Sequence, residues 1–256
     1  TLFRSQQALP AASDLHAGRL LLIPTSAAAD GEAADLAQAL RADGAESTTM
    51  SWPQHADHAA TADQLVAHLR DIAFDGVVVL AGPQNGDPDS ECGARAADQV
   101  RHLVRIAREL PEIPGDPPRL YLVTRNVQTV VRDDRANLEQ AGLRGLMRVI
   151  GTEHPQLRAT QIDLDDHTDT EQLARQLLTR SEEDETAWRH NEWYTARLCP
   201  TPLLPTDRRT TVVNQESDGM RLQIRTPGDL ESAELVAFDR IPPGPGLKGD
   251  FAVKTQ

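Results

Sequence analysis

Short apolar runs recur along the chain, each bounded by glycine, proline or polar residues. They lie at 19–23 (RLLLI), 76–81 (GVVVLA) and 120–124 (LYLVT), with a weaker candidate at 46–52. Residues 160–164 alternate apolar and polar side chains instead. Continuous apolar runs of this length are typical of parallel strands buried on both faces, and alternation with a period of two residues is also typical of a strand. The pattern therefore predicts a strand in each of these segments.

The segments between the strands carry apolar residues every three to four positions, which predicts amphipathic helices. The first helix is expected to end at Gly44, because glycine readily adopts the left-handed turn that closes a helix. Capping-box spacing at Thr61-x-x-Gln64 and at Thr168-x-x-Glu171 predicts the starts of two other helices. A long helix is predicted over residues 94–110.

A further helix is predicted between Gly142 and His154. Pro155 stops it, because proline has no N–H group and its ring clashes with the preceding turn. Gly142 and Gly145 are poor helix formers, and their presence one turn apart predicts close packing against the sheet. His154 is expected to lie at the helix terminus and to interact with its dipole or its last carbonyl groups.

Strands and helices alternate from residue 18 to residue 198. Residues 186–190 and 193–198 predict two strands joined at Asn191 in a hairpin. This order predicts an α/β fold, in which a truncated Rossmann-like, mostly parallel sheet carries helices on both faces. Residues 1–17 show no strong periodicity, and no strand or helix is predicted there.

The composition changes after residue 198. Prolines interrupt residues 199–209, which predicts a linker between a domain at 1–198 and a β-rich tail at 210–256. Strand candidates in the tail lie at 211–213, 221–225 and 235–238, and the PPGPG sequence at 242–246 ends them.

Charge and composition exclude several classes of protein. The net charge of −13 argues against nucleic acid or an anionic membrane as a partner. No apolar run reaches the roughly 20 residues of a membrane helix, and residues 1–14 have no apolar core of a signal peptide. The two cysteines, Cys92 and Cys199, form no disulfide framework or zinc pattern. We expect a cytoplasmic protein.

The loop after the first predicted strand lacks the features of a dinucleotide site. Such a site needs a glycine-rich turn, because glycines let the backbone approach the pyrophosphate at a helix N-terminus. Residues 24–31 read PTSAAADG and contain no G-x-G-x-x-G pattern. Asp30 would also repel a phosphate. No NADPH site is therefore predicted in this chain.

Carbonyl reduction of the short-chain type requires a tyrosine with a lysine four residues later. The tyrosines are Tyr121 and Tyr194, and the lysines are Lys248 and Lys254, so no such pair exists. Tyr121 lies in a predicted buried strand, where it is expected to be a core residue. We predict no catalytic, cofactor-binding or metal-binding residue in this chain.

Other reactive residues have ordinary structural explanations. His55 and His58 have metal-ligand spacing but no nearby cysteine or glutamate, which favours a solvated loop. Thr25 and Ser26 lack the elbow motif of hydrolases, and Cys92 has no activating neighbour. Three acids, Asp163, Asp165 and Asp166, follow one another at a strand end, where Mg²⁺ could bind. A capped loop before the next helix is the simpler interpretation.

Several ordered segments resemble the structural half of type I polyketide synthase ketoreductases. The resemblance rests on GLRGLMRVIGTEHP at 142–155 with the IDL strand end at 162–164, on GVVVL at 76–80, on RLYLVTR with NVQTV at 119–130, and on residues 183–198 from EDE to YTARL. Together they cover about residues 18–198. In that family the first half is a truncated Rossmann-like subdomain, and the second half holds the NADPH loop and the catalytic residues. This chain resembles only the first half, so no catalytic residue is carried over.

The tail also resembles a known element. RLQIR at 221–225, TPGDLES at 226–232 and PPGPG at 242–246 are similar to the opening of an enoylreductase domain. The combination resembles mycobacterial mycocerosic acid synthase-like enzymes. The resemblance implies a multienzyme of lipid biosynthesis that uses NADPH and phosphopantetheine in its other domains and forms a homodimer. The partners would be the catalytic ketoreductase half and the enoylreductase domain of the same polypeptide.

The leading hypothesis is a non-catalytic structural subdomain that packs on the catalytic ketoreductase half and positions the enoylreductase. A first alternative is a free-standing NAD(P)-dependent reductase with an atypical cofactor loop at 24–31. A second is a receiver-like signalling module built on the three acids of residues 163–166.

Overall fold

A computed structural model describes most of the chain. The described residues are 2–9, 16–53, 56–82, 92–111, 115–131, 134, 136–198, 218–224, 226–229 and 233–239. The chain divides into two compact units, Thr1–Cys199 and Pro200–Gln256. None of the helices in the described ranges is long and apolar enough to cross a membrane.

The first unit is built on an eight-stranded sheet with the order β1-β8-β7-β6-β5-β4-β2-β3. The strands are β1 (Leu2–Gln7), β2 (Arg19–Pro24), β3 (Glu46–Thr49), β4 (Gly76–Leu80), β5 (Arg119–Arg125), β6 (Thr160–Leu164), β7 (Glu185–Arg189) and β8 (Glu192–Leu198). Strands β3, β2, β4, β5, β6 and β7 pair in parallel, whereas β8 pairs antiparallel with β7 and β1. The predicted mostly parallel sheet is confirmed.

Helices cover both faces of this sheet, as predicted. They are α1 (Ala27–Ala42), α2 (His58–Asp71), α3 (Cys92–Arg108), α4 (Ala141–Glu153) and α5 (Thr170–Leu178), and a 3-10 turn (Pro155–Leu157) follows α4. One apolar core joins α2, α3 and α4 to the sheet, and a second core joins α1 and α5 to the opposite face. Alternate residues of the buried strands supply both cores.

The end of α1 confirms the predicted glycine cap. Gly44 has a φ of +82°, which glycine adopts without steric cost. Its N–H donates to Arg41 O, and the next N–H, from Ala45, donates to Leu40 O. This pair of bonds satisfies carbonyl groups at the helix end and directs the chain into β3.

Both predicted capping boxes were placed wrongly. Helix α2 begins at His58 because the Asp57 side chain accepts from two backbone N–H groups, and Thr61 lies inside the first turn. Helix α5 is capped by Asp169 and Gln172, one residue beyond the predicted pair. Aspartate caps a helix as well as threonine does, so neighbouring candidates compete and the pattern alone does not choose between them.

The expected contact of Gly142 and Gly145 with the sheet was wrong. A Cβ atom at Gly142 would lie 2.9 Å from Cγ2 of Val100, whereas one at Gly145 would meet no atom within 4 Å. Gly142 therefore allows α4 to approach α3 rather than the sheet. Gly145 is exposed.

Strand β1 was missed by the sequence interpretation. It lies at one edge of the sheet and pairs with β8 over six residues, from Leu2 to Gln7. Backbone groups supply this pairing, so the strand needs no alternation of apolar and polar side chains. Its sequence, LFRSQQ, shows none.

The second unit contains an antiparallel hairpin of β9 (Asp218–Ile224) and β10 (Ala233–Asp239). These strands match the predictions at 221–225 and 235–238. The predicted linker at 199–209, the strand at 211–213 and the PPGPG segment lie outside the described residues. The hairpin exposes four large apolar side chains, Met220, Leu222, Ile224 and Leu235.

Candidate functional site

The carboxyl edge of the sheet, where the parallel strands end, is the expected place for a ligand. After β2 the chain forms β3 on one side of that strand and then crosses to form β4 on the other. A crevice arises where the connections diverge in this way, and open α/β sheets bind ligands there. The predicted atypical loop, residues 24–31, begins at this point.

Side chains and backbone of the protein itself occupy this crevice. The Thr25 hydroxyl donates to Leu80 O over 3.1 Å and accepts from Gly82 N over 3.3 Å. Ser26 caps α1, accepting from Ala29 N over 3.3 Å. A Cβ atom at Gly82 would lie 2.0 Å from the Ser26 hydroxyl oxygen. The helix N-terminus that would hold a phosphate is thus capped and in close contact with the loop after β4.

The first turns of α1 are acidic, as the sequence indicated. Asp30 lies in the first turn. Glu32 follows and accepts from Arg125 of β5 over 2.7 Å. Arg125 also donates to Asp165 O over 3.0 Å, so it joins α1 to the loop after β6.

The three acids of the predicted cluster serve separate structural purposes. Asp163 is fully buried and accepts from Thr124 Oγ1 at 2.8 Å, Val127 N at 2.9 Å and Gln128 N at 3.1 Å. It also forms an ion pair of 2.5 Å with Arg189. These bonds hold the loop that leaves β5.

Asp165 organises the next loop. It accepts from His167 N, the Thr168 hydroxyl and His190 N at 3.0, 2.6 and 2.7 Å. Burial acts to raise the pKa of Asp165, but these hydrogen bonds outweigh burial and lower the pKa. Asp166 accepts from Asn126 at 3.2 Å. Within the described ranges, no group of three or more His, Cys, Asp or Glu side chains is placed to hold a metal ion.

Arg189 is the central residue of this edge, and sequence reasoning missed it. It is 1% exposed, and its guanidinium donates to Asp134, Asp163 and Gln128 O. Burial opposes its charge, but the two carboxylates raise the pKa of Arg189 above its ordinary value. The only sequence signal was an arginine inside a predicted short strand, and its partners were not identifiable.

Tyr121 lies apart from this edge, whereas Tyr194 lies near it, because its partner Glu192 pairs with Arg189. Tyr121 is buried in β5, with the Arg119 guanidinium carbon 5.1 Å from its ring centre. Tyr194 lies on β8 and donates to Glu192 over 2.7 Å. Lys248 and Lys254 lie outside the described residues.

The remaining candidates occupy ordinary positions. His154 is the C-cap of α4, and its N–H donates to Ile150 O. Cys92 is a half-buried free thiol at the start of α3. His58 accepts from Trp52 Nε1 over 3.2 Å, and burial lowers its pKa. His55 lies outside the described residues.

A second missed residue, His102 of α3, is buried beside His58. Its Nε2 donates to Trp52 O over 2.7 Å. Burial lowers the pKa of His102 to about 4, so the ring is neutral at physiological pH. Its Nδ1 and the Nε2 of Gln99 have no partner within the described structure.

Two cavities lined by described residues of the first unit lie at the opposite edge, the amino edge, where the parallel strands begin. A groove of about 610 Å³ lies between α4 and the starts of β6 and β7, and a cavity of about 380 Å³ lies beside the starts of β4 and β5. Arg119, Arg158 and Glu182 line both. In the groove, Glu185 accepts from Arg144 at 2.9 Å and from Arg148.

The chain is similar to part of several known polyketide synthases. Residues 40–198 match the family model described as polyketide synthase extender module SpnB, Rossmann fold domain. The chain is 57% identical over 241 residues to a mycocerosic acid synthase-like polyketide synthase of Mycobacterium tuberculosis, covering 94% of this chain and 11% of that protein. It is 58% identical to the phthioceranic/hydroxyphthioceranic acid synthase of the same organism, with the same coverage. The chain thus spans about a tenth of the length of these relatives.

Solved structures of ketoreductases have the same fold. A C2-type ketoreductase from a modular polyketide synthase superposes with a TM-score of 0.63 at 24% identity, covering 79% of this chain and 44% of that chain. A-type ketoreductases from a modular polyketide synthase give a TM-score of 0.59 at 26% identity, covering 80% of this chain and 43% of theirs. In each case the match includes less than half of the ketoreductase.

Proposed function

Since this chain belongs to the family of the polyketide synthase extender module SpnB Rossmann fold domain, we propose that it is the structural, non-catalytic subdomain of a ketoreductase in a type I polyketide synthase. It packs on the catalytic half of that ketoreductase and positions an enoylreductase domain. The parent multienzyme extends and reduces acyl chains, with NADPH and phosphopantetheine bound by its other domains.

The occupied carboxyl edge is the observation that carries this proposal. A dinucleotide needs free N–H groups at the start of α1 and room for its pyrophosphate. Ser26 already caps that helix, Gly82 lies against the cap, and Asp30 places a negative charge in its first turn. The same edge carries the buried Arg189–Asp163 pair.

Helices α3 and α4 offer the surface for the catalytic half. They pack side by side through Val100 and Gly142, and their outer faces expose Val104 and Val149. Leu138, just before α4, is also exposed. Since the matched ketoreductases extend to more than twice the matched region, a second half of similar size is available to cover these residues.

The β9–β10 hairpin supports the proposed continuation into an enoylreductase domain. Register places Leu222 opposite Leu235 and Met220 opposite Ala237, so one face of the hairpin is apolar. An isolated two-stranded hairpin is at best marginally stable in water. Further polypeptide would cover this face. Slower amide hydrogen exchange of residues 218–224 in the parent multienzyme than in this chain is the expected result.

Calorimetric titration of NADPH into the chain, with a parallel assay on the ketone decalone, tests the non-catalytic assignment. We expect neither heat of binding nor turnover. Binding with turnover would instead support the free-standing reductase, with residues 24–31 as its cofactor loop.

Association with the separately expressed catalytic half tests the partner. Micromolar binding is expected, with weaker binding by Val104→Glu and Val149→Glu, because a buried unpaired carboxylate is costly. Ala67→Glu, on the exposed side of α2, is the matched control and should bind normally. Absence of binding by the unmodified chain would refute the proposed packing.

A further inference from the structure

The amino edge contains an arginine cavity, which we define by Arg119, Tyr121, Arg158 and Arg180. Its volume is about 380 Å³, and it lies among the starts of β2, β4 and β5 and the end of α5. None of these four residues takes part in the proposed packing on the catalytic half. The cavity therefore needs an explanation of its own.

Arg119 is a buried cation that has no carboxylate partner within the described structure. Its side chain is 6% exposed. Its Nε and Nη2 atoms donate to Thr160 Oγ1 and to the carbonyl oxygens of Arg158 and Glu183, at 2.7–3.3 Å. The guanidinium also bonds to the Tyr121 hydroxyl, but within the described structure it forms no ion pair with a carboxylate. Buried charges are normally paired, so this position favours an anion.

Tyr121 adds a second buried donor. It is 5% exposed, and its hydroxyl forms a hydrogen bond with the Arg119 guanidinium. Burial raises the pKa of the Tyr121 phenol, whereas Arg119, Arg158 and Arg180 act in the opposite direction. The phenol therefore keeps its proton and can donate it in a hydrogen bond. Because all three guanidinium groups act to lower the pKa of Tyr121, each contributes positive potential at this hydroxyl.

The carboxylates around the cavity do not neutralise these deep donors. Asp75 already accepts from Arg180 at 2.5 Å and from the backbone N of Arg19 at 2.9 Å. Asp116 and Glu182 are exposed and line the outer part of the cavity. Arg119 and Tyr121 thus lie at the buried end of the cavity, whereas Arg158 and the two acids lie at its exposed end.

We propose that the arginine cavity binds a phosphate group, with Arg119, Arg158 and the Tyr121 hydroxyl as its donors. A phosphate has several acceptor oxygens, and charge-assisted hydrogen bonds from arginine to phosphate are among the strongest in proteins. The exposed acids restrict the site to a small group that reaches the buried donors. This role is independent of whether the chain binds NADPH or the catalytic half.

Thermal unfolding of the chain in inorganic phosphate, against sodium chloride at equal ionic strength, tests the site. A ligand that binds only the folded protein raises the unfolding midpoint with its concentration, so a rise specific to phosphate is expected. Arg158→Asn and Tyr121→Phe should each weaken binding about tenfold, the effect of losing one charge-assisted hydrogen bond. Asparagine tolerates the left-handed backbone at residue 158, where φ is 46°.

Arg70→Gln, on the exposed side of α2, is the matched control and should retain the full phosphate effect. Equal shifts in phosphate and chloride would overturn the proposal. If Arg70→Gln and Arg158→Asn reduced the phosphate-induced rise of the unfolding midpoint equally, the proposal would also be overturned, because general charge screening would then explain that rise. Chemical-shift changes at the Arg119 Nε–H group, measured by NMR during the same titration, should saturate with the same affinity.

Discussion

Both edges of the sheet contain a buried arginine, but the two arginines differ in whether a carboxylate pairs with them. At the carboxyl edge, Asp163 and Arg189 are almost completely buried, and each has an ion-pair partner within the protein. At the amino edge, Arg119 is buried without a carboxylate partner in the described structure, and the arginines of the groove are partly exposed. At the edge that usually binds ligands, described side chains pair with one another, whereas the cavities of about 610 and 380 Å³ lie at the opposite edge.

Under the proposed function, in which this chain binds no cofactor, the difference between the two edges has a consequence for stability. A ligand crevice requires free backbone N–H groups and unpaired polar side chains, which cost stability when the ligand is absent. Here the loops after β2 and β5 bond to Leu80 and Asp163 instead. The carboxyl edge should therefore contribute more to stability than the amino edge does.

The largest effect is expected from Asp163→Ala. This change leaves Arg189 buried with Asp134 as its remaining carboxylate partner and should lower the free energy of unfolding by about 3–5 kcal/mol, as for other broken buried ion pairs. The double variant Asp163→Leu with Arg189→Met removes both charges and should recover most of the loss. Urea unfolding measures both. A cost below about 1 kcal/mol for the single variant would mean that the Asp163–Arg189 pair stabilises the protein no more than an exposed ion pair does.

The pH dependence of stability tests His102, which lies beneath the same edge. Burial lowers its pKa from 6.5 to about 4, so the unfolded chain binds more protons between these values. Stability is therefore complete above pH 6.5 and falls as the pH drops towards 4, by about 3 kcal/mol. His102→Gln should remove this part of the decrease. The same series on His68→Gln, a histidine of α2, controls for the loss of a histidine elsewhere.

The sequence predicted the periodic elements of this fold but not the bonds that close its carboxyl edge. Apolar runs and 3.6-residue periodicity determine which segments are buried strands and helices, so β4, β5 and α3 were predictable. Asp163 and Arg189 are 26 residues apart, and they meet because β6 and β7 are adjacent in parallel. The pattern of one strand indicates which of its residues share a face, but it does not indicate which charged residue lies beside them on the neighbouring strand. The missing glycine-rich turn was visible, whereas the contact of Gly82 with Ser26 was not.

A smaller effect is expected from Gly82→Ala. The new methyl group would lie 2.0 Å from the Ser26 hydroxyl oxygen and 2.9 Å from Cβ of Ala29, so the loop or the cap must shift. The expected cost is about 1–3 kcal/mol, as for other overpacked sites. Gly145→Ala is the matched control, because that position is open and alanine favours a helix by about 0.5–1 kcal/mol. Equal stability of the two variants would show that the crevice between β2 and β4 can accommodate the added methyl group without a shift of the loop or the cap.

The smallest effect is expected at the amino edge, from Glu185→Gln. Burial acts to raise the pKa of Glu185, but the hydrogen bonds from Arg148 and Arg144 outweigh it and lower the pKa below 4.5. Its contribution is therefore present above pH 4.5 and lost as the pH falls below that value. Because the arginine side chains are 28% and 53% exposed, water screens the pair, and we expect a loss of about 1 kcal/mol at neutral pH. Glu171→Gln, which removes an exposed pair with Arg175 on α5, should cost less than about 0.5 kcal/mol. If Glu185→Gln lowered the free energy of unfolding as much as Asp163→Ala does, the contrast between the edges would disappear. The amino edge would then stabilise the protein as much as the carboxyl edge does.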